Sequence, residues 1–273
     1  MLRFLAPIAF ALQAFPAAAL TQEEANALYD ALGLPEIVEI MREEGLDYGA
    51  TIESDLFPER GGDGWRDTVS RIYDEETMND TMRSRIAADL DEVDVAPLLE
   101  FFESERGRRI VGLEISARRA LLDPDVEDAA EVAAAELRED DPARFGLLEE
   151  FVEVNDLVES NVMGAMNSNY AFYMGLMEGG AFGGGLTESD ILSDVWAQEA
   201  EIRADTEDWV YSYLALAYDP LPDEDIAAYV DISRTDAGRA LNRALFAAFD
   251  ELFVSISEGL GYGAAGFMVG EDI

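Results

Sequence analysis

Apolar residues recur at three- and four-residue intervals through nearly the whole chain, a spacing that builds helices. Strand signals, meaning alternating β-branched residues closed by Asn-Gly or Asp-Gly turns, are missing. Thr21 stands ahead of QEEANALYDALG, an amphipathic segment with an N-capping residue at one end and Gly33 at the other. Helical patterns follow near 35–45, 64–75, 76–90, 94–103, 105–121, 124–139, 142–154 and 156–178. One long helix or a pair is expected over 188–218, then further helices over 223–232 and 236–258. The glycine-rich end, residues 261–273, predicts a loosely ordered tail. The expected fold class is all-α, a multi-helix bundle or array in a single domain over 20–260.

One corner is written twice, as FFESERGRRI at 101–110 and as ISRTDAGRAL at 232–241. A gapless alignment of 87–122 on 218–253 pairs Leu90 with Leu221, Asp94 with Asp225, Ser104 with Thr235, Gly107 with Gly238 and Arg108 with Arg239. Ser104 and Thr235 are placed to N-cap the helix that follows. Glu105 and Asp236 then fall in its first turn, where the helix dipole favours an acid. Gly107 and Gly238 occupy the third helical position, where glycine costs about 1 kcal/mol against alanine. Close approach of the preceding helix, which a Cβ would block, offsets that cost. Each copy reads as a short helix capped by Asp94 or Asp225, a turn, and a second helix. The repetition predicts two pseudo-repeated helical-hairpin halves.

The same residues carry a resemblance. Phe101-Phe102-x-Ser104-x-x-Gly107-Arg108, followed by an amphipathic helix, resembles the bacterial family called domain of unknown function 2059, as does its second copy. The stretch from Leu176 to Tyr218 is similar to exported alphaproteobacterial proteins carrying that domain. Arg108 and Arg239 stand where Lys is common in the family, and Glu105 and Asp236 where Pro is common. The resemblance implies a helical exported protein, and it brings no catalytic residues with it.

Charge limits the partners. The chain has 59 acids against 18 bases, a formal net charge of −41. Nucleic acid and anionic membrane are poor partners for such a surface. There is no Cys and no His, and every base is Arg. Thiol nucleophiles, His bases, Schiff-base lysines and disulfides are thereby excluded, as are His- or Cys-based zinc and copper sites. Neither a cofactor nor a metal site is expected.

Residues 1–19 read as a cleavable signal peptide. Arg3 supplies the positive n-region, Phe4 to Phe15 a short apolar h-region, and Ala17 to Ala19 the small-residue cleavage site. A periplasmic or secreted protein is expected, with no transmembrane segment in the mature chain.

Two clusters stand out as candidate partner-binding residues. Arg106, Arg108, Arg109, Arg118 and Arg119 crowd into one helix with Glu114 as the single acid among them. They suit either docking against carboxylates of the other half or recognition of an acidic partner. Met163, Met166, Tyr170, Tyr173, Met174 and Met177 form one helix face, suited to core packing or to an adaptable groove. GGAFGGG at 179–185 lacks the strand and the lysine of a phosphate loop and reads as a connection between halves. Acid groups such as Glu149, Glu150 and Glu153 read as solvated faces. The composite expectation is a non-catalytic binding, scaffold or chaperone-like envelope protein, acting on an unidentified protein or envelope component. A carboxylate-based hydrolase of envelope polysaccharide is the alternative.

Overall fold

In a computed structural model that describes residues 20–270, thirteen α-helices and no strand are present among the described residues. The leader expected over 1–19 lies outside them, as do residues 271–273. The first four helices are α1 (Gln22–Ala31), α2 (Leu34–Leu56), α3 (Gly62–Ile72) and α4 (Glu75–Asp89). Next come α5 (Ala96–Phe102), α6 (Glu105–Ala120), α7 (Pro124–Asp140), α8 (Pro142–Val154) and α9 (Leu157–Glu178). The last four are α10 (Glu188–Ala197), α11 (Glu199–Tyr218), α12 (Asp223–Ser233) and α13 (Asp236–Val269).

Local chemistry sets many of the helix starts. Thr21 accepts a hydrogen bond from the Glu24 amide at 3.2 Å while the Glu24 carboxylate accepts from the Thr21 amide at 3.0 Å. Thr187 and Asp190 close the same reciprocal box on α10. Asp74, Asp123 and Asp141 cap α4, α7 and α8 with their carboxylates.

Three apolar clusters hold the helices together. The largest joins Leu28, Met41, Trp65, Met82 and Ile86 of α1–α4 to Leu252, Ile256 and Leu260 of α13. A second gathers Ile110 of α6, Leu148 and Phe151 of α8, Leu214 and Tyr218 of α11, and Ile226 and Val230 of α12. Phe101 and Tyr229, stacked with ring centroids 5.6 Å apart, belong to the borders of both and join them. Burying each such side chain fully contributes about 1.5–3 kcal/mol. The third and smallest cluster lies between α9 and α10.

The duplicated corner has the same geometry at both places. Ser104 Oγ accepts from the Gly107 amide at 3.0 Å and donates to the Phe101 carbonyl at 2.6 Å. Thr235 Oγ1 accepts from the Gly238 amide at 2.9 Å and donates to the Ile232 carbonyl at 2.7 Å. A Cβ on Gly107 would overlap the Phe101 carbonyl oxygen, and one on Gly238 the Ile232 carbonyl oxygen. The missing Cβ is what lets the incoming helix touch the outgoing one. Asp94 accepts from the Ala96 amide at 3.1 Å, but it stands one residue ahead of the N-cap Val95, and α5 has no side-chain cap. Asp225 does not cap: α12 begins two residues earlier, and its carboxylate turns instead to Arg106.

The expected loose tail is not observed. Residues 261–269 continue α13 without a break, and Gly261, Gly263, Ala264, Ala265 and Gly266 are buried. A Cβ on Gly261 would overlap the Phe172 carbonyl oxygen of α9, and one on Gly175 of α9 would overlap the Glu258 carbonyl oxygen of α13. These glycines let two backbones meet, so a composition that resembles a tail belongs to the tightest helix pair of the fold. Likewise α2 runs on to Leu56, past the end expected near 45. Gly45 and Gly49 are seats for Tyr73 and Val69 rather than breaks.

α13 bears on the expectation that the mature chain has no transmembrane segment, although Asp250, Glu251 and Glu258 interrupt its apolar run. It is long and apolar enough to cross a membrane by length and composition, with a mean hydropathy of 1.3 over an 18-residue window that is 44% buried here. A helix contacted by α2, α3, α4, α5, α9 and α12 needs apolar groups around most of its circumference.

Candidate functional site

Where the two larger clusters meet, the packing leaves a cavity of about 300 Å³. Side chains from α5, α6, α8, α9, α11, α12 and α13 line it. Its walls are mostly aliphatic and aromatic, with Asn155, Asn161, Ser233 and Asn242 as polar points and the corner residue Gly238 in the wall. Asn161 is exposed, so the cavity reaches solvent at its rim.

Glu114 is the single acidic residue of the lining, and no arginine lines it. Its position follows from helix geometry. Ile110 and Ala117, one turn either side on α6, are buried and turn Glu114 inward with them. Tyr218 O–H donates to Glu114 Oε1 at 2.6 Å, and Tyr213 O–H to the Glu114 carbonyl oxygen at 3.3 Å. Burial pushes the Glu114 carboxyl up to about 7, against the opposing pull of the Tyr218 hydrogen bond. Burial likewise holds the phenols of Tyr213, Tyr218 and Tyr229 well above their ordinary value, with the Glu114 charge adding to it. At neutral pH these tyrosines are neutral donors around a carboxyl poised between its two states. Such a group can pair with a cation when ionised, or donate a hydrogen bond when protonated.

The arginine cluster points away from this site. Arg106 meets Asp225 of α12 at 2.5 Å, and Arg109 donates to the Pro220 carbonyl at 2.6 Å. Arg118 reaches Glu44 of α2 at 2.6 Å, while Arg119 reaches Glu39 at 3.1 Å and Glu43 at 3.3 Å. Arg108 folds back onto the Glu103 carbonyl, as Arg239 does onto the Arg234 carbonyl. All five guanidinium groups thus have internal partners, but only Arg106 and Arg109 reach the second copy of the repeat.

The methionine face is mostly covered. Met166 is buried, Tyr170, Tyr173, Met174 and Met177 are half-buried against Ile191 and Val195 of α10, and Met163 is exposed. Tyr170 O–H donates to Glu188 at 2.8 Å across that seam. Glu150 pairs with Arg234, and Glu149 and Glu153 are exposed. Among the described residues no group of three acids comes close enough to hold a metal ion. Sequence reasoning weighed Glu114 only as a counter-charge to the arginines. The available signal was its register, in line with Ile110 and Ala117 on the apolar face.

No protein-family model matches the chain, and searches of curated proteins and of solved structures find no significant match. Fold and site together define an all-α protein with a small, mostly apolar cavity that carries one acid.

Proposed function

We propose that this chain is a non-catalytic binding protein of the cell envelope, exported by the leader at residues 1–19, that holds a small, largely apolar molecule beside Glu114. The observation that carries the reading is the cavity itself, an apolar space with few polar points and one perturbed carboxyl. The alternative, a carboxylate hydrolase, requires two acids facing each other across the substrate. Glu114 is alone in the lining, and this favours binding over hydrolysis. We also read the two matching corners as copies of one helical hairpin, and the domain as two pseudo-repeated halves. The equivalent hydrogen bonds of Ser104 and Thr235 and the equivalent close contacts of Gly107 and Gly238 support this. The same residues support kinship with the domain of unknown function 2059.

The test is titration of the full chain with a neutral apolar fluorophore such as N-phenyl-1-naphthylamine. Saturable binding at one site per chain is expected, with a blue-shifted emission. Leu245 lines the cavity and is half-buried, so Leu245→Trp fills the space from the rim. It is expected to weaken the dye by about tenfold or more, equivalent to about 1.4 kcal/mol, with the melting curve preserved. Absence of saturable binding to the native chain overturns the reading.

A further inference from the structure

Resting on that reading, we propose that the cavity selects a lipophilic organic cation, a small alkyl- or arylammonium, with Glu114 as its counter-ion and the surrounding rings as its cage. An isolated carboxylate in an apolar wall is costly unless a positive charge comes to meet it. The protein does not supply that charge. No arginine lines the cavity, and Arg118, one helical turn beyond Glu114, is tied to Glu44 at 2.6 Å and lies over the Trp209 ring. When Glu114 is ionised, a ligand can bring it.

The rest of the wall suits the body of such a ligand. Phe102, Phe151, Tyr213, Tyr229, Phe246 and Phe249 contribute aromatic surface, with the Phe151 and Tyr229 rings 4.7 Å apart. Ring faces attract ammonium groups, most strongly where water is excluded. One carboxylate among apolar groups is a poor site for a metal ion, which needs several oxygen ligands. It matches a single diffuse positive charge. The chain's net charge of −41 adds a field that draws cations and repels anions.

Protonation of Glu114 gives the proposal a signature of its own. The groups facing Glu114 are Tyr213 and Tyr218 from α11 and Tyr229 from α12, all held neutral through this range by burial. Asn242 of α13 also lines the cavity and does not titrate. Glu114 must lose its proton to pair with a cation. Affinity for a permanent cation should therefore rise with pH from 5 to about 7 and level off above.

The experiment displaces the neutral dye from the full chain with benzyltrimethylammonium and with its uncharged carbon isostere, neopentylbenzene. About 0.5 M NaCl screens diffuse attraction to the acidic surface. The ammonium is expected to bind one per chain, about tenfold or more tighter than the isostere above pH 7. Glu114→Gln should remove that preference, bringing the ratio of the two affinities to about one. Equal binding of the two probes, affinity for the ammonium that is flat or falls as pH rises, or a preference surviving in Glu114→Gln would each overturn the cation proposal and leave the cavity reading standing. Failure of dye, ammonium and isostere alike overturns both. Should Glu114→Gln not fold, the pH profile of the native chain decides by itself.

Discussion

Glu114 also leaves a mark on stability, argued at the level of one proton. Its carboxyl has an ordinary value of 4.5 and is raised to about 7 in the folded chain by burial. The folded state therefore binds this proton more tightly than the unfolded state does. The contribution is full below 4.5 and is lost as pH rises through about 7, for a total of about 3 kcal/mol. Other acids titrate nearby, so the native chain must be compared with Glu114→Gln, whose neutral amide keeps the shape. The two are expected to be about equally stable near pH 4.5 and to diverge with rising pH, the variant becoming the more stable by up to about 3 kcal/mol near pH 8. Urea midpoints measured across that range check it. Parallel pH profiles would mean that Glu114 carries no perturbed proton.

At the scale of the element, the end of α13 carries the sharpest test. Ala264 and Ala265 are fully buried, Phe267 stacks on Phe57 at 5.4 Å and meets Trp65 at 5.7 Å, and Arg60 donates to the Met268 carbonyl at 3.1 Å. A chain truncated after Leu260 loses these contacts and the Gly261 seat against α9 together. The loss is several kcal/mol, a large share of the 5–15 kcal/mol typical of a domain. Such a chain is expected to melt far lower and less cooperatively, a result that circular dichroism reports. A tail with no structural role would leave the melt unchanged. This region also shows why sequence reading stopped where it did. Caps are local, so Thr21, Ser104, Thr187 and Thr235 and the helices they start could be read from a few neighbouring residues. The corner glycines were equally legible, because the backbone they touch lies only a few residues away. Gly45 and Gly261 touch partners distant in sequence, and read from their neighbours alone they look like breakers. Glu114 was hidden for the same reason: its burial depends on α11 packing over α6.

For the whole molecule, charge sets the response to salt. Each of the exposed ion pairs, such as Arg119 with Glu39 or Arg203 with Glu159, is worth about 0–1 kcal/mol and is weakened by added salt. Against them stands the mutual repulsion of a chain with a net charge of −41, which the folded state concentrates and unfolding relieves. The screening length falls from about 10 Å at 0.1 M to about 3 Å at 1 M salt, so the repulsion is cut over the whole surface while only a few pairs lose strength. Repulsion wins because 59 acids share only 18 arginines, leaving most acids without a partner. The melting temperature is therefore expected to rise by several degrees between 0.05 and 1 M NaCl at pH 7.5, at about 2–4 °C per kcal/mol for a chain of this size. Sodium chloride is the salt to use, since sulfate raises melting temperatures through surface exclusion whatever the charge. Calorimetry that returned a flat or falling series would mean that the internal pairs, Arg118 with Glu44 and Arg106 with Asp225 foremost, outweigh the surface field.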